Sequence, residues 1–131
     1  MPHVSGPFDV KVLPQKADNP QAEEGKIGRM SLDKQFHGAL EGVSKGEMLA
    51  AHDPAKGSGG YVALERITGK LDGKSGSFAL QHSSFMRRGV PEQNISVVPD
   101  SGTDELEGIT GKMVIRIEGK AHFYEFDYEL S

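Results

Sequence analysis

The chain of 131 residues carries a formal net charge of −4, and its length suits a single domain with one core. Its 17 glycines and 7 prolines favour strands and turns over a helical bundle. Because the sequence contains no cysteine, disulfide bonds, thiolate metal sites and a nucleophilic thiol are excluded. The basic residues are spread along the chain, which argues against nucleic acid as a partner. We predict one domain over residues 1–131.

The sequence also lacks the patterns that direct a chain to or through a membrane. The amino terminus has neither the basic segment nor the apolar run of a secretory signal. Nowhere do enough apolar residues follow one another to form a membrane-spanning helix. We therefore expect no membrane partner and a cytoplasmic location.

The first third of the chain shows the alternation of apolar and polar residues that is typical of half-buried strands. We predict a strand over residues 4–13 and a second one over 26–40. The segment 15–25 between them has no apolar periodicity and is expected to be a loop. A turn at 41–42 should lead into a third strand over 43–51.

The centre of the chain contains its strongest hairpin signal. Residues 53–60 are rich in glycine and should form a loop, followed by a strand over 61–71. Asp72 and Gly73 then suit a type I′ turn, which needs a positive φ at both positions. The next strand, over 75–86, should pair directly with the preceding one.

The last third is predicted to contain three strands and one helical turn. The strands cover 94–98, 113–117 and 121–130. The segment 104–108 should form the helical turn, with the Thr103 hydroxyl as its N-cap. We expect no other helix.

These elements predict an all-β fold of about eight short strands with short connections. An open sheet of that size would expose two edges, whereas a closed sheet exposes none. We therefore predict a closed or nearly closed antiparallel barrel, with a β-sandwich as the alternative.

Two ionisable residues fall on otherwise apolar faces of the predicted central hairpin. One strand carries Tyr61 and Glu65 on the same face, and the other carries Phe78 and His82. If these faces point into the barrel, burial of the carboxylate and the imidazole is costly unless the two groups pair. Such groups in a cleft are candidates for ligand binding or acid–base chemistry. The alternative is that both lie outside or form a purely structural pair.

The last predicted strand places Tyr124, Phe126 and Tyr128 on one face and acidic residues on the other. Aromatic faces of this kind usually fill a core, and they line a ligand only where a cavity remains. The 5 histidines lack the spacing of a local metal motif, so we predict neither a metal nor a cofactor.

Three runs of the sequence resemble a family of small bacterial domains of unknown function. They are residues 60–69 (GYVALERITG), 73–82 (GKSGSFALQH) and 98–111 (VPDSGTDELEGITG). That family is similar to the allene oxide cyclase-like β-barrels, and the resemblance implies an eight-stranded barrel. The related barrels include a cyclase and lipocalin-like ligand carriers, and the cyclases imply a homo-oligomer. No catalytic residue of the cyclase matches a position of this chain.

Three hypotheses for function follow from the predicted barrel. The first is a binding module that holds a small, largely apolar molecule in the barrel interior. The second is an enzyme of the isomerase or cyclase kind, in which Glu65 or His82 moves a proton. The third is a filled barrel that acts as a structural or interaction protein. The fold alone does not distinguish them.

Overall fold

The computed structural model describes residues 2–130, which form a single antiparallel sheet of nine strands. In chain order the strands are β1 (His3–Gln15), β2 (Ile27–Phe36), β3 (Leu40–Asp53), β4 (Ser58–Leu71), β5 (Lys74–Arg87), β6 (Val90–Glu92), β7 (Ile95–Val97), β8 (Thr110–Glu118) and β9 (Ala121–Glu129). The same range contains the short helix α1 (Pro20–Glu24) and a 3₁₀ turn (Asp104–Leu106). Neither has the length or apolarity to cross a membrane.

The sheet closes into a barrel. Strands β1 to β5 pair in sequence, β5 pairs with β7, and β7, β8 and β9 continue the ring until β9 pairs with β1. The short strand β6 pairs with the end of β5 and lies outside this ring of eight. The predicted barrel is thus confirmed, and its closed ring rules out the β-sandwich.

The hairpin between β4 and β5 has the predicted turn. Asp72 has a φ of 50° and Gly73 a φ of 83°, which is the positive-φ pair that a type I′ turn requires. The strands on either side pair from Leu71 and Lys74 outwards. This turn marks one end of the barrel, called the closed end below, and the opposite end is called the open end.

The helical turn before β8 is also present, but its predicted cap is wrong. The Thr103 side chain does not cap the turn Asp104–Leu106. Its hydroxyl instead accepts a hydrogen bond from the backbone N–H of Ser77, at 3.0 Å. The Thr103 hydroxyl therefore pairs with a backbone N–H of β5 rather than with one of the helical turn. This hydrogen bond holds the helical turn against the closed end of the barrel.

The first hairpin turns earlier than the sequence predicts. The turn lies at residues 37–39, where Gly38 has a φ of 100°, and Leu40 already begins β3. The Tyr124 hydroxyl holds this turn, because it donates to the His37 carbonyl at 2.7 Å and accepts from the Leu40 N–H at 3.1 Å. The predicted turn at 41–42 is therefore wrong, and Gly42 lies within β3.

Two other segments differ from the prediction. The expected loop over 15–25 contains α1, whose start is marked by the Asn19 side chain accepting from the Gln21 N–H at 3.0 Å. The strand predicted at 94–98 is limited to Ile95–Val97, and β6 precedes it. Short segments of this kind carry too few residues for a visible period.

Replacing Tyr124 by phenylalanine is expected to lower the free energy of unfolding by about 1–3 kcal/mol, because a buried N–H loses its acceptor. Guanidinium denaturation followed by circular dichroism measures this loss. Tyr61→Phe is the matched control, since within residues 2–130 no hydrogen bond to the Tyr61 hydroxyl is found. Equal stability of the two variants would show that the Tyr124 hydroxyl does not hold the first turn.

The closed half of the barrel is packed with apolar side chains. Phe126 stacks on Phe78 and on Tyr128, with ring centroids 5.6 Å apart in each pair. The other core residues of this half include Phe36, Leu40, Ile67, Leu71, Leu80, Leu106, Ile109, Met113 and Tyr124. These side chains are buried and form one contiguous apolar core.

Candidate functional site

A cluster of charged and polar side chains crosses the barrel interior midway between its two ends. The cluster consists of Lys34, Ser44, Glu65 and His82, and we call it the central polar cluster. The four residues come from β2, β3, β4 and β5, which are neighbours in the sheet. All four are buried, with Glu65 and His82 each 2% exposed. They share the inward faces of their strands with the core residues.

The Glu65 carboxylate is the centre of this cluster. Its Oε2 atom lies 2.7 Å from Lys34 Nζ and 2.6 Å from His82 Nε2. Its Oε1 atom accepts a hydrogen bond from Ser44 Oγ at 2.7 Å. Charge-assisted hydrogen bonds of this length are stronger than neutral ones. The buried carboxylate thus has three hydrogen-bond partners.

These partners fix the ionisation of Glu65. Burial raises the pKa of Glu65, but the hydrogen bond from His82 and the charge of Lys34 outweigh burial and lower the pKa to about 2. At neutral pH the carboxylate is ionised and can only accept hydrogen bonds, so His82 Nε2 carries a proton. Glu65 is too weak a base to take a proton near neutral pH, and its role in the cluster is to orient His82 and balance Lys34.

Neighbouring residues shape the space around the cluster. Gly46 is the sheet partner of Glu65, and a Cβ atom at position 46 would lie 2.7 Å from Glu65 Cβ. The Lys34 ammonium lies 5.3 Å from the ring centroid of Phe8 and 5.8 Å from that of Phe36. These distances suit cation–π contacts. The glycine therefore leaves space for the Glu65 side chain, and the two aromatic rings pack against the Lys34 ammonium.

The structure brings together the two residues that the sequence singles out most strongly. Glu65 and His82 both point into the barrel and bond to each other, which excludes the alternative in which they lie outside. Tyr61 lies on the same inner wall, and its ring centroid is 6.3 Å from that of His82. The role of these three residues as ligand contacts stays a prediction.

The other predicted ligand contacts lie in the closed half. Phe78, Tyr124 and Phe126 are fully buried and contact one another or other core residues. Tyr128 donates a hydrogen bond to Asp72, and burial together with this bond raises the pKa of Tyr128 to about 12. Both buried tyrosine hydroxyls in this half are thus engaged within the protein. Of the two interpretations of this aromatic face, the packing favours core filling.

The open half of the barrel contains a cavity of about 640 Å³. Residues from the inward faces of β3, β4, β5 and β8 line it, and they include Met48, Ala50, Tyr61, Ser84, Met86 and Ile115. Its rim is formed by the loop after β3 and by the segment around β6. The cavity wall is mainly apolar, and the cavity is continuous with solvent at the open end.

Sequence reasoning misses three polar residues of the interior. Lys34 has a signal, because it shares its strand face with Leu32 and Phe36 and is charged where the face is apolar. Ser44 has no such signal in the sequence, because the neighbouring residues on its inward face are the glycines Gly42 and Gly46. Ser84 follows His82 by two residues on one face and could have been included with it.

A metal site does not emerge from the geometry. Among residues 2–130, no group of three or more histidine, aspartate or glutamate side chains is arranged to hold a metal ion. The carboxylate of the central polar cluster is occupied by a lysine, a histidine and a serine.

The fold and the interior define a small closed antiparallel β-barrel with an ionised cluster at its centre and a cavity at one end. Residues 4–128 match the family model described as "Protein of unknown function (DUF3224)", and the chain belongs to this family. A crystal structure at 1.84 Å of a protein with unknown function from the DUF3224 family of Shewanella oneidensis MR-1 is similar to it over 100% of this chain and 98% of that one. The two are 47% identical, with a TM-score of 0.92.

No curated protein matches the chain. The predicted membership in a family of unknown function is confirmed, and the relative described above is bacterial. The likeness to allene oxide cyclase-like barrels stays a prediction, as do the cytoplasmic location and the homo-oligomer.

Proposed function

We propose that this protein binds a small, largely apolar molecule at the open end of its barrel. The observation that carries the proposal is the cavity of about 640 Å³. Ligand pockets of proteins fall in the range of about 300–1,000 Å³ and are lined mainly by apolar side chains with a few polar groups. Met48, Ala50 and Met86 supply the apolar wall, and Tyr61 and Ser84 supply the polar groups.

The packing of the barrel supports this assignment of the cavity. The closed half is filled with aromatic and aliphatic side chains, so its walls are held rigidly. His82 lies one inward position deeper on β5 than Ser84, and it is bonded to Glu65. The central polar cluster therefore lies on the closed side of Ser84 and is held in place by the hydrogen bonds of Glu65. A binding module needs this combination of a rigid frame and an unfilled end.

The hydrogen bond between Glu65 and His82 favours a second candidate, an isomerase or cyclase that acts on the same kind of molecule. With a pKa of about 2, Glu65 is not the group that moves a proton, and His82 takes that role. Glu65 is then a positioning residue that fixes the imidazole tautomer. Mass spectrometry of the bound molecule before and after incubation with the protein tests this candidate, because only an enzyme converts the molecule. The His82→Gln variant should leave the molecule unchanged.

Filling the cavity tests the proposed binding. Ala50→Phe places a large side chain on the inward face of β3 at the open end, and we expect it to weaken binding of the uncharged fluorescent probe N-phenyl-1-naphthylamine at least about tenfold, or 1.4 kcal/mol. The matched control is Ala121→Phe, because Ala121 is exposed at the start of β9. Fluorescence titration of the two variants and the wild type gives the three dissociation constants.

Two outcomes would contradict the proposal. If the probe does not bind the wild type, the cavity does not accept apolar molecules. If Ala50→Phe binds the probe as tightly as Ala121→Phe does, the probe occupies another surface. Either result would favour the remaining hypothesis of a structural or interaction protein.

A further inference from the structure

Ser84 has a buried hydroxyl group without a hydrogen-bond partner in the part of the chain that the structure describes. Among residues 2–130, Ser84 Oγ is the one buried side-chain nitrogen or oxygen atom without a hydrogen-bond partner. The residue is 4% exposed and lines the cavity at the open end. Buried polar groups of native proteins nearly always have partners, and an unpaired one lowers stability. A partner that binds from outside would explain this hydroxyl.

The residue beside Ser84 in the neighbouring strand is Tyr61. Tyr61 and Ser84 are direct cross-strand partners, so their side chains leave the sheet side by side. The hydroxyls of Tyr124 and Tyr128 are tied to His37 and Asp72, whereas within residues 2–130 no such bond holds Tyr61. Tyr61 is also only half-buried. Its ring can turn toward the open end without breaking a hydrogen bond.

The charges of the interior limit the chemistry of the missing partner. Among residues 2–130, Lys34 is the one lysine that is buried. Its Nζ atom lies 2.7 Å from Glu65 Oε2, so the Glu65 carboxylate already neutralises its charge. An anionic group at Ser84 would thus lack a free buried lysine to pair with, and a buried unpaired charge is costly. An uncharged acceptor does not meet this obstacle.

We propose that the cavity takes an uncharged molecule with an apolar body and a carbonyl oxygen, and that this oxygen accepts a hydrogen bond from the Ser84 hydroxyl once Tyr61 has turned aside. The inference rests on the proposed function, because it specifies the molecule that the open end binds. Ketones, aldehydes and esters share this chemistry. Ser84 sets the position of the carbonyl, and the apolar wall holds the rest of the molecule.

Competition between matched probes tests this inference. N-phenyl-1-naphthylamine is bound first, and 2-octanone, octane and octanoate are then compared as competitors on the wild type and on Ser84→Ala. We expect 2-octanone to bind about five- to tenfold more weakly to Ser84→Ala than to the wild type, which is the factor that one neutral hydrogen bond supplies. Octane should bind both proteins equally, and octanoate should bind more weakly than 2-octanone.

Ser83→Ala is the matched control, because Ser83 is the neighbouring residue and is exposed on the outer face of β5. It should leave all affinities at the wild-type level. Thermal denaturation separates a direct role from damage to the fold. Ser84→Ala removes an unpaired buried group, so its Tm should equal or exceed that of the wild type while its affinity for 2-octanone falls.

Each contrary outcome has a distinct meaning. If 2-octanone binds Ser84→Ala and the wild type equally while the reporter still binds, the carbonyl inference is wrong and the proposed function stands. If octanoate binds the wild type more tightly than 2-octanone, the molecule is an anion and the uncharged class is wrong. If the reporter itself fails to bind the wild type, both the inference and the proposed function are wrong.

Discussion

Replacing Glu65 by glutamine is expected to lower the free energy of unfolding by about 3–5 kcal/mol, the usual cost of removing one partner of a buried ion pair. The Lys34 side chain is 5% exposed and the Glu65 side chain is 0% exposed, so the ammonium left behind cannot recover its hydration. Guanidinium denaturation followed by circular dichroism measures the loss. It is the largest effect that a single polar substitution should have in this barrel.

The double variant Lys34→Met/Glu65→Gln shows whether the loss comes from the unpaired charge. It removes both ionised groups, and a neutral amide can still bond to Ser44 and His82, so most of the lost stability should return. Glu47→Gln is the surface control, because Glu47 pairs with Arg29 at an exposed site and should hardly move the denaturation midpoint. A Glu65→Gln protein as stable as the Glu47→Gln protein would contradict the buried ion pair.

The second large effect is a loss of stability in acid. The Glu65 pKa is lowered from 4.5 to about 2 in the folded protein, so the folded state holds the ionised form more tightly than the unfolded state does. The resulting stability is fully present above pH 4.5 and is lost as the pH falls toward about 2. This shift corresponds to about 3 kcal/mol.

Denaturation curves at a series of pH values between about 6 and 2 measure this loss. The double variant Lys34→Met/Glu65→Gln has no carboxyl group at position 65, so its stability should fall less over the same range. The surface carboxylates are the same in both proteins, so their contributions cancel when the two unfolding free energies are subtracted at each pH. Parallel pH profiles for the two proteins would show that Glu65 titrates as an ordinary carboxyl group.

The inward faces of the central hairpin could be predicted because they follow from the period of two in a strand. Once the turn at Asp72 and Gly73 is assigned, the register of β4 and β5 places Glu65 and His82 within reach of each other. The same reasoning predicts that Phe126 lies in the core. These residues depend on local pattern and on one turn, both of which the sequence contains.

Lys34 could not be assigned to the cluster on the same grounds. In the sheet, Lys34 is the partner of Ser44, and Glu65 is the partner of Gly46, so no direct pairing joins the lysine to the carboxylate. The stagger of strands around a closed barrel brings the two together. The position of the first turn could not be predicted for a similar reason, since the hydroxyl of Tyr124, from the far end of the chain, holds this turn.

The open cavity could not be predicted from the sequence pattern either. Alternation identifies which residues face inward, but it does not show whether their side chains fill the space between opposite walls. In the closed half, large residues such as Phe78 and Phe126 meet across the barrel. In the open half, small inward residues such as Ala50 and Ser84 leave the interior unfilled.

The most direct test of ligand binding is a crystal structure of the protein as purified from cells, or after soaking with 2-octanone. We expect electron density for an apolar molecule in the open half, with a polar atom within hydrogen-bond distance of Ser84 Oγ and the Tyr61 ring turned away. A cavity closed by the side chains of Met48, Tyr61 and Met86, with no density between them, would contradict the proposed binding.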